Sequence, residues 1–529
     1  MGGTHTTAMT PHARDGATTP RSTHSFGFSF LLFAALLCGP AVAQGSLRSV
    51  PVPLPKETDK FIRDRDAAAR LGKALFWDEQ VGGDGRVSCA TCHFHAGADS
   101  RFENILHPGP NGVFETLLGP GRTVTAQDFP LRGDDVAGSP GIVAGRFLGL
   151  DPILPADQQQ PVNDGVFFPF RQVTGRNSPS SLLAVYYETN FWDGRASATF
   201  NGVDITGEKG RTVYVDGVDS LIQTSIAMEP ASAASQAVGP PLSAVEMTCD
   251  GRSFQELGRK LLGRMPLATQ MVAPDDSLLG PWSLWPLPGI SLTYEEMIRE
   301  AFHEAYHTSS YSTEQGYSQM EANFPFYWGL SILLYNARLI PDQTPYDRFA
   351  EGNLTALTAS QRRGLALFED KARCDQCHGG PLFSAAAIDG GDGGRAFTNI
   401  GLTPQDIDPG IEKGKFKSPS LRNIDLTGPY FHTGRYLTLR QVVDFYDRGG
   451  DVNNRDKDSQ VRRLGLTEGE KQDLVAFMLA LTDERVRYSR APFDHPSLNL
   501  PDGVPLPAVG AGGRSQPIRR FLDADPFQR

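Results

Sequence analysis

Residues Cys89–His93 read C-A-T-C-H and residues Cys374–His378 read C-D-Q-C-H. Three chemistries use a Cys-x-x-Cys pair: a disulfide framework, a four-cysteine zinc site built from two pairs, and covalent attachment of haem. In the last, both thiols add to the vinyl groups of one haem and the adjacent His lies under the iron as its axial ligand. A disulfide framework is the ordinary expectation for an exported chain, yet it leaves both histidines unused. Zinc makes the His after each pair a coincidence that happens twice. Haem uses all six residues. Cys89 and Cys92 with axial His93 therefore form the first haem site, and Cys374 and Cys377 with axial His378 the second. Of the other cysteines, Cys38 falls in an N-terminal apolar run, and Cys249 reads as a buried thiol acting as a small apolar residue.

Each motif needs an element to hold it. "LGKALF" (71–76) precedes the first and "RGLALF" (363–368) the second. They form an internal repeat of short, apolar-faced helices that lead into the attachment sites. Thr358 and Gln361 make a capping-box pattern at the start of the second helix. Thr467 and Glu470 do the same for a closing helix in "LTEGEKQDLVAFMLALTD". In "LTLRQVVDFYDRGG", Leu439, Val442, Val443 and Tyr446 fall on one face of a helix that stops at Gly449-Gly450. "EANFPFYWGLSILLYNARLI" reads as a core helix, and strand-like alternation is sparse.

The fold class expected is mainly α: two cytochrome c-like haem domains with long loops and insertions. The expected division is a signal peptide over 1–43, an N-terminal haem domain with insertions over 44–340, a C-terminal cytochrome c-like domain over 341–490, and a tail over 491–529. Residues 94–170, rich in Gly, Pro and Asp, are expected as a long ordered excursion beside the first haem. "LIPDQTPYDRFAEGN" (339–353) reads as a connector. The Pro-rich tail is expected to wrap the surface as extended chain.

At 529 residues there is room for two or three domains. The net charge of −11 argues against a nucleic-acid binder, which needs a basic face, and suits a soluble protein meeting small or basic partners. "FGFSFLLFAALLCGPAVAQ" followed by cleavage before Gln44 reads as a secretory signal, which implies the periplasm. The run is short and broken by Gly39-Pro40, which disfavours a membrane anchor. Leu37 is too bulky for a lipoprotein site at Cys38. "HEAYH" (303–307) fits the H-E-x-x-H zinc-protease pattern, but the metzincin extension is absent, Glu321 is the nearest carboxylate for a third ligand, and the match is read as chance.

Several blocks together resemble the bacterial di-haem cytochrome c peroxidases and, more closely, their MauG-like relatives. They are "LGKALFWD", "GRNSPSSL" (175–182), "FWDGRA" (191–196), "QAVGPPLSAVEM" (236–247) and "GKFKSPSLRNIDLTGPYFHTGRYLTLRQVVDFYDRGG" (414–450), in family order. The chain is longer than compact members, with insertions near 94–170 and 197–235, like a large MauG-like branch. The resemblance implies that Glu246 is the distal acid over the first haem, with Gln236 and Pro240 lining the same pocket, and that H2O2 reacts there. It implies that Trp192 lies between the haems as a relay. Tyr446 would then be the second axial ligand opposite His378, where conventional members carry Met; taken alone, Tyr446 reads as a core tyrosine. Met478 is the fallback ligand.

A Tyr ligand suits a haem oxidised past Fe(III), so the two oxidising equivalents are shared in a bis-Fe(IV)-type state and passed to a protein or small electron donor. Asn177, with Thr427 and Pro429 through their carbonyls, matches an inter-haem calcium site. His432 falls near the second haem without an assigned role. His95 and His107 stand as unplaced distal candidates. Conventional members are often dimers, which extends the resemblance to a homodimer. The competing functions are a conventional cytochrome c peroxidase fed by a small redox protein, a non-catalytic electron-transfer cytochrome, and rubber-oxygenase-like dioxygen chemistry. The "VEM" acid argues against the last.

Overall fold

Helices form where the sequence supplies both a cap and an apolar face. The computed structural model describes residues 44–208, 210, 212–388 and 395–529; the expected signal peptide over 1–43 lies outside them. The principal helices are α1 (Arg65–Trp77), α2 (Cys89–His93), α3 (Ser232–Ala237), α4 (Phe254–Leu261), α5 (Tyr294–Ala301), α6 (Phe324–Asn336), α7 (Ala359–Glu369), α8 (Leu439–Arg448) and α9 (Glu468–Leu479). Asp64 caps α1 by accepting from the backbone of Asp66 and Ala67 at 2.8 and 3.0 Å. The capping boxes of Thr358 with Gln361 and Thr467 with Glu470 are both formed. Helix α8 ends at Gly449, whose φ of 86° supplies the left-handed cap expected there.

The repeat seen in sequence has a packing cause. Helix α1 crosses α6, every residue of which is buried. At the crossing, a Cβ on Gly72 would sit 2.0 Å from the carbonyl oxygen of Ser331. Helix α7 crosses α9 in the same way, and a Cβ on Gly364 would sit 2.0 Å from the carbonyl of Asp473. The shared glycine of "LGKALF" and "RGLALF" is the contact point of each helix pair, where only a hydrogen fits.

Gln44–Arg529 form one compact unit, within which the apolar cores are separate. The first gathers Leu71, Leu75, Leu257, Met297 and Trp328 from α1, α4, α5 and α6. The second gathers Leu365, Phe368, Val443, Leu474 and Phe477 from α7, α8 and α9. Sheet is confined, among the described residues, to antiparallel two-stranded ribbons: β1 (Leu106–His107) with β2 (Val136–Ala137), β3 (Gly145–Gly149) with β4 (Gln158–Pro161), β5 (Val213–Asp216) with β6 (Leu221–Thr224), and β7 (Phe397–Thr398) with β8 (Phe416–Lys417). The chain is mostly helical with little sheet and long loops. No described helix is long and apolar enough to cross a membrane.

Two segments differ from their expected form. The 339–353 connector contains a short helix, Pro345–Ala350, whose Tyr346 and Asp347 are buried; Asp347 pairs with Arg422 at 2.8 Å. The tail is anchored firmly at its start. Asp494 is fully buried against Lys73 of α1 at 3.0 Å, and Asp276 holds the same ammonium at 2.8 Å. His495 stacks on Trp77 with centroids 4.9 Å apart. The tail folds back on itself through bridges pairing His495 with Val509 and Leu498 with Leu506. Its last residues accept from Arg440 N (Pro526 O, 2.9 Å) and Thr438 Oγ1 (Gln528 O, 2.5 Å), at the first turn of α8. A buried charged triad and an aromatic stack thus pin the start of the Pro-rich tail, most of whose later residues stay at the surface.

Candidate active site

Both Cys-x-x-Cys-His motifs line one continuous cavity of about 690 Å³. Cys89 and Cys92 lie on α2, whose Ser88 cap is closed by a bond from Ser88 N to Thr91 Oγ1 at 2.9 Å. Cys374 starts a single 3₁₀ turn, Cys374–Gln376, and Cys377 and His378 follow it. The four thiols are half-buried and unlinked. Burial pushes Cys89, Cys92 and Cys374 up to about 12 and raises Cys377 as well. Thiols that hold their protons are poor nucleophiles for disulfide exchange. No three His, Cys, Asp or Glu side chains converge on a metal position among the described residues, so the two pairs do not meet as a four-thiolate set.

The histidines are built alike. His93 Nδ1 lies 2.7 Å from the Gly97 carbonyl, and His378 Nδ1 lies 3.0 Å from that of Pro419 and 3.3 Å from that of Phe383. A carbonyl only accepts, so each Nδ1 carries the proton and each Nε2 keeps its lone pair. Burial lowers both pKa values, against the raising effect of those carbonyls. A neutral imidazole with a bare Nε2, oriented by a backbone acceptor, is the state an axial metal ligand requires. Thiols, imidazoles and cavity together fit two covalently held haems.

Glu246, Gln236 and Pro240 border the same cavity. Gln236 lies in the last turn of α3, and Pro240 opens the 3₁₀ turn Pro240–Leu242. The loop carrying Glu246 is fixed by backbone bonds from Met247 N and Thr248 N to Ser243 O, both 3.1 Å. Ile142 N donates to Val245 O at 3.1 Å, and Gln172 Nε2 donates to Ala244 O at 2.7 Å. The 94–170 excursion and the stretch that follows it therefore brace the acid. Burial raises the Glu246 carboxyl, and Arg195 offsets this in part. Its side chain has no hydrogen-bond or ion-pair partner among the described residues. Asp193, the other acid on the cavity wall, is tied to Arg176 at 2.7 Å and Arg195 at 2.9 Å. His95 and His107 do not border the cavity. His95 is buried near Arg514, and His107 accepts from Gly109 N at 3.0 Å.

Trp192 also lines the cavity, with Nε1 donating to Asn177 O at 2.7 Å. Its ring stands edge-on to His432 at 6.1 Å, and His432 stacks on Phe416 at 3.6 Å. Asn177, Thr427 and Pro429 are all on the wall. Asn177 Nδ2 donates to Ala137 O at 3.1 Å, which leaves Oδ1 as a free acceptor. Neither Oδ1 nor the carbonyls of Thr427 and Pro429 accept a hydrogen bond among the described residues. Neutral oxygens of this kind suit Ca²⁺.

Tyr446 faces the second motif. Burial, then the nearby Cys377 and Cys374 sulfurs, raise its phenol, and the hydroxyl has no partner among the described residues. Met478 also borders the cavity but packs within the second core at 7 % exposure. Cys249 is buried, as expected, with Sγ donating to Gln159 Oε1. "HEAYH" lies at a short 3₁₀ turn, where His303 Nε2 meets Asp59 O at 3.2 Å and His307 Nε2 meets Phe302 O at 3.2 Å. The wall also carries five basic residues that the sequence did not single out: Arg176, Arg195, Arg373, Lys417 and Arg422. The signal available for Lys417 was a lysine inside the "FKSPSL" stretch.

Residues 66–273 match the family model described as di-haem cytochrome c peroxidase. The cytochrome-c peroxidase IdrP1 of Pseudomonas sp. (strain SCT) is 36% identical over 216 residues, covering 34% of this chain and 54% of that protein. The methylamine utilization protein MauG of Methylophilus methylotrophus is 23% identical over 445 residues, covering 82% and 86%. The crystal structure of a MauG-like protein associated with microbial copper homeostasis aligns over 84% of this chain and 96% of its own, with 20% identity and a TM-score of 0.47. The chain spans about half the length of the first curated relatives it matches. Two haem-attachment motifs on one cavity, the match over residues 66–273 and relatives named for both branches agree: the chain is similar to the di-haem cytochrome c peroxidases and MauG proteins.

Proposed function

We propose that this protein is a MauG-like di-haem peroxidase that reduces H2O2 to water and draws two electrons from a protein or small donor. The observation that carries the reading is the single cavity onto which both C-x-x-C-H motifs, Glu246, Trp192 and Tyr446 open. Bound there, the two haems supply the redox chemistry. Cys89, Cys92 and His93 would hold the first. Cys374, Cys377, His378 and Tyr446 would hold the second.

The protein's own part is proton management and placement. Glu246 takes the proton from the nearer peroxide oxygen and returns it to the departing one, so that water leaves. Its raised pKa favours this exchange, because a carboxyl that is too acidic holds no proton to give back. Gln236 and Pro240 shape the space beside it and limit how peroxide enters. Trp192, held by the Asn177 carbonyl, provides an oxidisable ring between the sites. Asn177, Thr427 and Pro429 would hold Ca²⁺ through neutral oxygens and stiffen the junction where Trp192 and His432 meet. An exported, periplasmic protein acting as a dimer completes the proposal.

Tyr446 favours the MauG-type reading over a conventional cytochrome c peroxidase, because an anionic oxygen ligand stabilises higher oxidation states than a thioether does. Rapid mixing of the diferric protein with one equivalent of H2O2, without reductant, tests it. Prompt peroxide loss with spectral change at both haems is expected. A requirement for prior reduction of one haem overturns the MauG-type assignment.

A further inference from the structure

Lys417 is the unexplained charge of the cavity. It lies on β8, its backbone N–H bonded to Trp192 O at 2.8 Å, and it is only 5 % exposed. A buried ammonium requires a counter-charge or a full set of strong acceptors. Lys417 has neither among the described residues. Its Nζ makes long contacts of 3.4 Å to Thr189 O and 3.3 Å to Asn190 Oδ1, both neutral. It lies 3.9 Å from the centroid of the Tyr187 ring. No carboxylate among the described residues comes within salt-bridge distance, whereas the buried Lys73 has two. Burial holds the Lys417 ammonium down to about 7, with only Asp193 raising it. Yet the residue borders the cavity that both haem motifs share.

An aliphatic residue would be the stable choice at such a place unless an anion arrives. Every haem carries two propionate carboxylates that must be compensated when the ring is buried. We propose that Lys417 is the cationic partner of a haem propionate, completing a charge-assisted pair that forms only when the cavity is filled. The inference rests on the two-haem reading. The ring at either motif could supply the carboxylate, since Lys417 sits on the strand leading to Pro419, the partner of His378, while its ammonium reaches the 187–190 stretch beside Trp192.

The test uses the holoprotein with Lys417→Met and Lys417→Arg, and spectropotentiometric titration of both haems. Removing a positive charge beside a carboxylate favours the oxidised haem, so Lys417→Met should lower one midpoint. The haem that moves identifies the carboxylate, and Lys417→Arg should recover most of the shift. If two haems are bound and neither midpoint moves, the assignment is overturned. Pyridine haemochrome content separates this from failure of the two-haem reading, which would show as fewer than two haems in the unmodified protein. If Lys417→Met does not fold, resonance Raman of the propionate bending bands in Lys417→Gln against the unmodified protein decides: a displaced band supports the pair, and unchanged bands refute it.

Discussion

Replacing Glu246 by Gln keeps the size of the side chain and removes its ability to accept a proton. The cavity wall offers no substitute carboxylate among the described residues: Asp193, the other acid there, is held by two arginines. General acid–base catalysis by one placed group contributes about 10²–10⁴-fold. At about 1.4 kcal/mol per tenfold, that is roughly 3–6 kcal/mol of barrier. With no second carboxylate free to take over, the whole of that range should be lost. Stopped-flow mixing of diferric Glu246→Gln with excess H2O2 measures it directly, with haem content and midpoints as controls. The pH profile adds an independent reading. In the unmodified protein the first proton transfer needs the carboxylate, so the rate should rise with pH through a midpoint displaced upward by burial. Glu246→Gln should lose that inflection. A rate within about threefold of the unmodified protein, against the roughly hundredfold minimum expected, or an inflection that persists, would show that the proton is handled elsewhere.

Tyr446→Met should raise the midpoint of the second haem and restore a need for reductive activation, as read by potentiometry and peroxide turnover. Lys73→Met should destabilise the fold by about 3–5 kcal/mol in chemical denaturation, because it leaves Asp276 and Asp494 buried without their cation. Acid stability should report Asp347, which burial raises but bonding to Arg422 and Thr344 pulls down to about 2. A depressed carboxyl contributes stability that is full above its unfolded value of about 4 and is lost as pH falls toward about 2. Denaturation midpoints should therefore drop across that window, and an Asp347→Asn variant should show a smaller drop.

Much of the site was legible because its chemistry is local. Each C-x-x-C-H motif is a run of consecutive residues, and the helix leading into each carries its own cap and apolar face. Tyr446 was placed on the right helix face by spacing alone, although a ligand role came only from family resemblance. What escaped was non-local. Asp494 meets Lys73 from the far end of the chain, and nothing in the composition of a Pro-rich tail announces a buried triad. Likewise Ile142 braces the Glu246 loop through a backbone N–H that every residue but proline possesses, so the excursion's role has no side-chain signature. Lys417 hid for a third reason: a buried lysine is recognised by its missing partner, which only packing reveals.

The central claim is that the two haem sites act as one two-electron store. Diferric protein treated with one equivalent of H2O2, then back-titrated anaerobically with a one-electron donor, measures it. The account predicts that two reducing equivalents per chain restore the diferric spectrum. Recovery of none, or peroxide that persists until one haem is first reduced, would contradict it.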